Sequence, residues 1–585
     1  MGRAPGEQTH SRVPIVVGRA AAAALFAGVC IYAVYAGWNA VKDDTWPFYH
    51  DAWRDVGLAQ SILDGRYPED PIIAGAANWY NPAVGALVAT VSAVTGMPPP
   101  VADARMGAFA QALIPIMFFI LLWLLFGHWT ACVGSIFLIC GNALVDELGL
   151  WGHTLTYSPW IWAPSFSQAF LLATLAAYLC ARRTDKLHWH MIMGLLWGVT
   201  FMTHTAPAVM IGLIALVLAV GQGITALRKK SAPGLGHVAG RFFLEAGVAF
   251  VSSLPFSGPI LWKHQFIMEQ DSPIWYTDGA LELGNLGPLL VQCVNVSNAI
   301  ALVGMVVVLL RVRRSLSAQL VVVWLALAWV FMAQNYVNQI LAQNELSMTP
   351  QFVPPHHWFQ SLGALKALLF AVGLLAGVRL VAAGALRLGH ALWDRVPGGM
   401  PHGAWRNETV CFLAAAGLLL VLLPRYMTVA AFPAPMDFGW HTESFDDRTR
   451  LYQWMVENTA PDAVFLCDEQ LAVRFVGPAG RKLVRTMNIF SNPYMPHEPR
   501  VAAQDVMFDA LAESDEQRFR EAAEEYGVTH VLVREEAIIN RFVRGHAPSM
   551  ETLEKLDLPF LERVYHEDHL AVYRVLPATQ KTHGG

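Results

Sequence analysis

Residues 20–41 read AAAAALFAGVCIYAVYAGWNAV and residues 42–51 read KDDTWPFYHD. The first string carries no charge and is long enough to cross the hydrocarbon core, which takes about 20 apolar residues. The second begins where a chain leaving a bilayer meets water. It sets two adjacent carboxylates, Asp43 and Asp44, before aromatics, His50 and a third carboxylate, Asp51. A span followed at once by an acidic, aromatic loop defines the reading of everything that follows.

The composition agrees with a membrane protein. Of 585 residues, 55% are hydrophobic and 15% charged, and the mean hydropathy is +0.39. Soluble domains carry about 25% charged residues. No basic tract of the kind nucleic-acid binding needs is present, so no nucleic-acid partner is expected. Of the seven cysteines, Cys30, Cys132, Cys140, Cys180 and Cys411 lie in apolar runs, Cys293 begins another, and Cys467 stands alone in a polar tail. That pattern gives neither a disulfide framework nor metal-ligand spacing. Arg3 and Arg12 precede the first run without a small-residue cleavage site after it, so the run reads as a retained span.

Charge-free runs place about eleven spans: 20–41, two within 106–145 with a turn at Gly127-His128, 148–181, two within 191–227 broken at His204, then 243–262, 288–310, 318–335, 361–381 and 408–424. With a cytoplasmic N-terminus, Arg182, Arg183, Lys186, Arg228, Lys229, Lys230, Arg311, Arg313, Arg314, Arg387, Arg395 and Arg406 all fall inside. The outside loops near 146–160, 203–207 and 336–360 hold no Lys or Arg, as the positive-inside rule requires. Residues 82–97 are apolar but short. Counting them as a span would put the Arg clusters outside, so they read as a surface or re-entrant helix. Asp51 to Gly65 reads as a second surface helix, with Trp53, Val56, Ile62 and Leu63 as its apolar side and Gly65 as its cap.

The expected fold is therefore a mostly α polytopic membrane protein with a C-terminal soluble α/β domain. Residues 1–424 form the transmembrane part, including a first outer loop at 37–105, and 425–585 form an extracytoplasmic domain. Within the tail, Asp446–Asn458 and Asp515–Tyr526 read as helices. Ala463–Cys467 and Thr529–Val533 read as strands, and Phe560–His566 with Leu570–Val575 as a closing hairpin.

The candidate chemistry collects on the outer face. A carboxylate beside a like charge and partly out of water has its pKa raised toward the range of a general base, which makes Asp43 and Asp44 the catalytic candidates. The alternative is a solvated helix end. His50, Asp51, Glu69, Trp79 and Tyr80 of the same loop suit sugar hydroxyls and sugar faces, and an interfacial aromatic belt is the competing reading for the two aromatics. Asp146 and Glu147, with His153, Tyr157, Trp160 and Trp162, make a second polar-aromatic edge. Lys263, His356 and His357 are candidates to receive a lipid phosphate, against snorkelling or interfacial packing. No cofactor is demanded by these residues; a divalent cation, Mg or Mn, is the one candidate, with Asp43, Asp44 and Asp146 as its hard-oxygen ligands.

This arrangement resembles the GT-C superfamily of polytopic glycosyltransferases. The resemblance lies in the acidic pair after the first span, the long outer loop with Tyr80-Asn81-Pro82, the second acidic step Asp146-Glu147, and a tail with Trp454–Asn458, Pro461–Val464 and Tyr526–Val533 like the outer domains of bacterial members. It implies a multi-pass protein of a bacterial inner membrane with a periplasmic C-terminal domain. It also implies a polyprenyl-phosphate-linked sugar donor, a glycan or lipid acceptor, and Asp43 or Asp44 as the base of a single inverting displacement. The loop before the tenth run lacks the Arg or Lys that some relatives use; His356 and His357 stand there instead. A lipid-linked glycan polymerase or ligase would share the compartment but rely on outer Arg residues, which are scarce here. A transporter would need ionisable residues in mid-span or matched broken helices, and the charges instead gather on one face.

Overall fold

The computed structural model describes residues 13–47, 50–141, 157–229, 234–270, 282–287, 291, 294–346, 357–392, 403–429, 445–535, 547–567 and 569–577. The chain divides into two compact units. One comprises Met1–Lys42, Gly107–Ser253 and Tyr276–Met436; the other comprises Asp43–Met106, Leu254–Trp275 and Asp437–Gly585.

The first unit is a helical bundle. Among the described residues, eight helices are long and apolar enough to cross a membrane: Val13–Val41, Pro99–Phe126, Ala163–Thr184, Thr205–Arg228, Leu235–His264, Leu316–Gln343, Gln360–Ala385 and Asn407–Met427. The remaining expected runs hold shorter helices, His128–Cys140, Leu187–Thr203 and Val296–Leu309. The long uncharged runs break at the residues anticipated, Gly127 and His204. Large side chains fill the bundle: Phe137 stacks on Phe370 at 4.0 Å, Phe26 on Phe119 at 4.4 Å, and Trp324 and Tyr178 are fully buried.

Polar contacts gather at one end of this bundle. Arg183 Nη2 donates to Leu124 O at 2.9 Å and to Ser317 Oγ at 3.0 Å. Asp185 meets His237 at 3.2 Å and Arg241 at 3.2 Å. Glu408 accepts from Trp129 Nε1 at 2.6 Å and meets His128 Nε2 at 3.0 Å. These contacts bring together segments 124–129, 183–185, 237–241, 317 and 408, the set that the charge pattern assigns to a common face. The turn at 127–130, which has no Lys or Arg, is thus tied there by a His–Glu contact. Glu245 is the surprise. It lies well inside Leu235–His264, has no exposure, and is held by Arg182 Nη2 at 2.8 Å and His190 Nδ1 at 2.6 Å. A buried carboxylate is tolerated when its charge is paired and its oxygens are hydrogen-bonded.

The second unit is built on a five-stranded sheet. Its strands are β1 (Val464–Leu466), β2 (Lys482–Leu483), β3 (Val528–Arg534), β4 (Leu561–Glu567) and β5 (Leu570–Val575), ordered β2-β1-β3-β5-β4. β1 runs parallel to β2 and β3, whereas β5 is antiparallel to β3 and β4. β1 is apolar throughout, and β3 and β5 are apolar at the buried positions Val528, Val531–Val533 and Leu570–Tyr573, because both sheet faces are covered there. Val464, Leu466, Val531, Val533, Ala571 and Tyr573 face a core shared with Phe508, Leu511, Phe519 and Leu553 of the tail helices Glu498–Ala512, Glu516–Tyr526 and Met550–Leu556. The alternate residues Phe465, Leu532 and Val572 face a different core, made with Trp46, Trp53, Val56, Ile72 and Ile73 of the first loop. The β2 edge is also covered: Leu483 N–H donates to Ile72 O at 2.8 Å.

The loop and the tail therefore fold as one body, and this corrects the expectation of a surface helix at 51–65. His50–Leu63 is buried along almost its whole length, from Ala52 to Ser61, while Ile62 and Leu63, expected on its apolar side, are its least covered apolar residues. Its polar residues are buried because the tail supplies partners. Tyr452 Oη donates to Gln60 Oε1 at 2.7 Å, and Arg481 Nη1 donates to Asp64 Oδ2 at 3.0 Å. Gly57 permits the closest approach: a Cβ there would stand 2.1 Å from Gly477 O. Gly65 closes the segment at φ 72°, as the sequence anticipates. Ala83–Thr95 packs on this helix. At 13 residues it is about 20 Å long, too short for a span.

Candidate functional site

The acidic pair divides into two different residues. Asp43 is exposed and Asp44 half-buried, directly after the helix Val13–Val41. Arg105, from Pro99–Ala110, donates its Nε to Asp44 O at 2.9 Å and so fixes the main chain at this point. Burial lifts the Asp44 carboxyl above its ordinary value; the Arg105 charge opposes that lift and the Asp43 charge adds to it. A carboxylate with these neighbours accepts a proton more readily than an ordinary aspartate and remains open to solvent on one side.

Seven residues further along the chain stands a second acidic group. Asp51 is one-third exposed and pairs with Arg54 Nη2 at 3.4 Å. The Arg54 guanidinium carbon lies 3.1 Å from the centre of the Tyr80 ring and 5.6 Å from that of Phe490. Tyr80 is held in turn by Trp79, edge to face at 5.7 Å, and by Asn78 Nδ2, which donates to Tyr80 O at 2.7 Å. The structure thus brings Asp51 and Tyr80 together through an arginine that sequence spacing did not single out. Asp55, the next residue, is fully buried, and neither of its oxygens has a hydrogen-bond partner. Burial pushes its carboxyl up to about 7, against the pull of Arg54 and with the push of Asp51. Asp103 is also buried, and its Oδ2 is without a partner.

Glu69 lies in an ion-pair cluster. It accepts from Arg66 Nη2 at 2.7 Å and faces Lys482 Nζ at 3.7 Å. Burial works against its charge, but Arg66, Lys482 and Lys263 together hold its carboxyl below the ordinary value. The exposed Lys263 therefore shares the field of Glu69. Its neighbour His264 accepts the Ala77 N–H at 3.2 Å and stacks on Tyr494 at 5.3 Å. Asp70 organises the floor of this region. Its Oδ1 accepts from the N–H groups of Ile72 and Ile73 at 2.8 and 2.9 Å, its Oδ2 accepts from Asn492 Nδ2 at 2.7 Å, and its main-chain oxygen receives Lys482 Nζ.

In the bundle unit, His357 begins the helix His357–Leu392, and its ring lies 4.5 Å from that of His204. The sequence marks both residues as polar groups at span ends without pairing them. Tyr157 of the second polar-aromatic edge is buried, where its Oη donates to Ala108 O at 2.7 Å. Asp146, Glu147, His153 and His356 lie outside the described residues, as does the side chain of His50. Among the described residues, no group of three or more His, Cys, Asp or Glu stands ready to hold a metal ion.

One solved structure shares this architecture. ArnT from Cupriavidus metallidurans in the apo state matches with a TM-score of 0.51 at 12% identity, over 94% of this chain and 97% of that one. The chain has the GT-C fold. The same ArnT bound to undecaprenyl phosphate gives 0.48 at 12% identity, over 95% and 98% of the two chains. Archaeal oligosaccharyltransferase AglB from Archaeoglobus fulgidus, in complex with an inhibitory peptide and a dolichol-phosphate, gives 0.49 at 12% identity over 87% and 69%. No protein-family model matches the chain, and no curated protein matches it in sequence. At such identities the GT-C likeness is one of fold, and the chemistry has to be argued from this chain's own residues.

Proposed function

We propose that the protein is a membrane glycosyltransferase that moves a sugar from a polyprenyl-phosphate donor to a hydroxyl of a lipid-linked or cell-envelope glycan. The reaction takes place on the outer face of a bacterial inner membrane, with the N-terminus cytoplasmic and the loop-and-tail unit outside. One observation carries this reading: in a GT-C fold, the half-buried Asp44 follows the first span with its main chain fixed by Arg105 and its carboxyl raised by burial.

In the reaction, the Asp44 carboxylate takes the proton of the acceptor hydroxyl. The acceptor oxygen attacks the anomeric carbon, the bond from that carbon to the phosphate oxygen breaks, and the polyprenyl phosphate leaves with the electron pair. A single displacement inverts the anomeric centre. Asp51, oriented by Arg54, and the Trp79–Tyr80 edge suit hydroxyl groups and a sugar face. The leaving phosphate needs positive charge more than a proton. Lys263 and His357, with His356 of the same loop, are the residues we assign to it, and a divalent cation at Asp43, Asp44 and Asp146 would serve the same purpose.

The test is sugar transfer by purified protein in nanodiscs with a polyprenyl-phosphate sugar. Asp44→Asn should remove transfer by roughly a hundredfold or more, the usual size of a general-base loss, while Asp43→Asn retains most of it. Full activity in Asp44→Asn would reject the assignment of the base.

A further inference from the structure

One imidazole of the bundle unit stands between two carboxylates. His190 lies in the first turn of Leu187–Thr203 and is 1% exposed. Its Nδ1 is 2.6 Å from Oε1 of the fully buried Glu245. Its Nε2 is 3.4 Å from Oδ1 of Asp185, the left-handed residue (φ 51°) that caps Ala163–Thr184. The two sides are unequal. The Glu245 contact is a full hydrogen bond. The Asp185 contact is longer than the usual range of about 2.7–3.2 Å, and Nε2 has no hydrogen-bond partner.

A count of protons explains the difference. One proton lies between Nδ1 and Glu245 Oε1, because two bare acceptors do not approach so closely. A neutral imidazole carries only one N–H. With that proton committed to Glu245, Nε2 turns a lone pair toward a carboxylate oxygen, and a buried acceptor aimed at another acceptor is unfavourable. A second proton, on Nε2, converts the gap into a charge-assisted hydrogen bond. Histidine is the side chain that ordinarily changes charge between about pH 5 and 8.

The surrounding charges decide which proton is labile. Arg182 Nη2 holds the other Glu245 oxygen at 2.8 Å, and its guanidinium carbon lies 4.9 Å from the centre of the Tyr178 ring. Arg241 Nε and His237 Nε2 each lie 3.2 Å from an Asp185 oxygen. Lys186, His188 and, at the end of Thr205–Lys229, Arg228 are exposed. Two guanidinium groups oppose a further positive charge, so the Nε2 proton of His190 is the one that leaves as pH rises. A neutral His237 can place its single proton on Nε2 and keep its contact with Asp185; His190 cannot.

We propose that His190 is a proton-operated clasp at this end of the bundle. With both nitrogens protonated it ties the turn at Asp185 to Glu245 of Leu235–His264. When it loses the Nε2 proton, the turn is left to Arg241 and His237 and loosens. In the orientation proposed above this end faces the cytoplasm, so the clasp makes the order of the 182–190 turn depend on cytoplasmic pH.

The test is amide hydrogen exchange of the full chain in nanodiscs, read segment by segment at about pH 5.5 and about pH 8.5, on either side of the histidine range, and corrected for the chemical exchange rate. The 182–190 segment should be protected roughly tenfold more at the lower pH, the size of one hydrogen bond to a charged group. The segmental readout separates this step from titrations elsewhere in the chain. His190→Asn keeps a donor near the position of Nδ1 but cannot gain a second proton, and should abolish the step. Asp185→Asn sets an amide N–H opposite Nε2, supplies the missing proton at either pH, and should abolish it as well. His237→Asn should retain it. Thermal unfolding of each variant controls for folding, and Asp185→Asn, an exposed position, carries the test if His190→Asn does not fold. Equal protection at both pH values in the parent, or a step that persists in His190→Asn or Asp185→Asn, would overturn the clasp, as would a step lost in His237→Asn.

Discussion

Asn492 Nδ2 donates to Asp70 Oδ2 across 2.7 Å, joining two residues 422 positions apart in the chain. The same amide donates to Ala77 O at 2.9 Å. Asp70 is buried, and burial pushes its carboxyl above the ordinary value even though Ile73, Ile72, Asn492 and Lys482 favour its charge. Asn492→Ala removes a donor from a buried carboxylate and should cost roughly 1–3 kcal/mol of stability. Thermal unfolding in detergent should show a lower midpoint and earlier protease cleavage of the 43–106 loop. An unchanged midpoint would mean that the loop and the tail do not depend on this link.

The Asp44 environment fixes the sign of a pH effect. Its raised pKa means that the basic form is reached at higher pH than for an ordinary aspartate, so transfer should rise with pH along an acid limb displaced upward. Asp43→Asn removes a neighbouring negative charge and should move that limb to lower pH. Arg105→Gln removes a stabilising positive charge and should move it to higher pH. A pH–rate profile of the three proteins checks the order, and identical profiles would sink Asp44 as the titrating base.

Asp55 affects stability with the opposite sign to a salt-bridged carboxylate. Its folded value of about 7 lies above the unfolded value of about 4, so the folded state binds the extra proton. Stability is full below the unfolded value, falls as pH rises toward 7 and then levels off. Asp55→Asn imitates the protonated form. It should match the parent near pH 4 and exceed it by a few kcal/mol at about pH 8, read as a difference in melting temperature that grows across that interval.

Glu245 and Arg182 test the buried end of the bundle. Glu245→Gln leaves the Arg182 guanidinium, 8% exposed, without its counter-charge and should destabilise by about 3–5 kcal/mol. The double replacement Arg182→Met/Glu245→Met removes both charges and should recover much of that loss. Failure of the double variant to recover would show that the pair contributes net stability beyond mutual neutralisation.

Much of the architecture was legible before any coordinates. The apolar runs found their helices because a bilayer span demands length and freedom from charge, and the breaks at Gly127 and His204 fell where polar or flexible residues interrupt a run. The strands around Phe465 and Leu532 were visible as short apolar stretches. Their covering layer was not, because a strand buried on both faces does not say what lies on either. The same limit misplaced His50–Leu63. Arg54, Asp55, Gln60 and Asp64 look like a solvated face until Tyr80, Tyr452 and Arg481 arrive from elsewhere in the chain. Within the site, Asp43 and Asp44 are identical neighbours that only burial and Arg105 distinguish. The helix Glu498–Ala512 did carry a readable period at Val501, Phe508 and Leu511, interrupted by the polar but buried Gln504.

The loop-and-tail unit also imposes an order in time. Asp70 leaves the ribosome 422 residues before Asn492, and at ordinary rates of synthesis that gap lasts on the order of 20–80 s. For that interval Trp46, Trp53, Val56 and Ile72 have no sheet to lie against. The segment that bears Asp44 must therefore be kept from aggregation while most of the bundle is still being made, and it matures only when the strands of the sheet emerge.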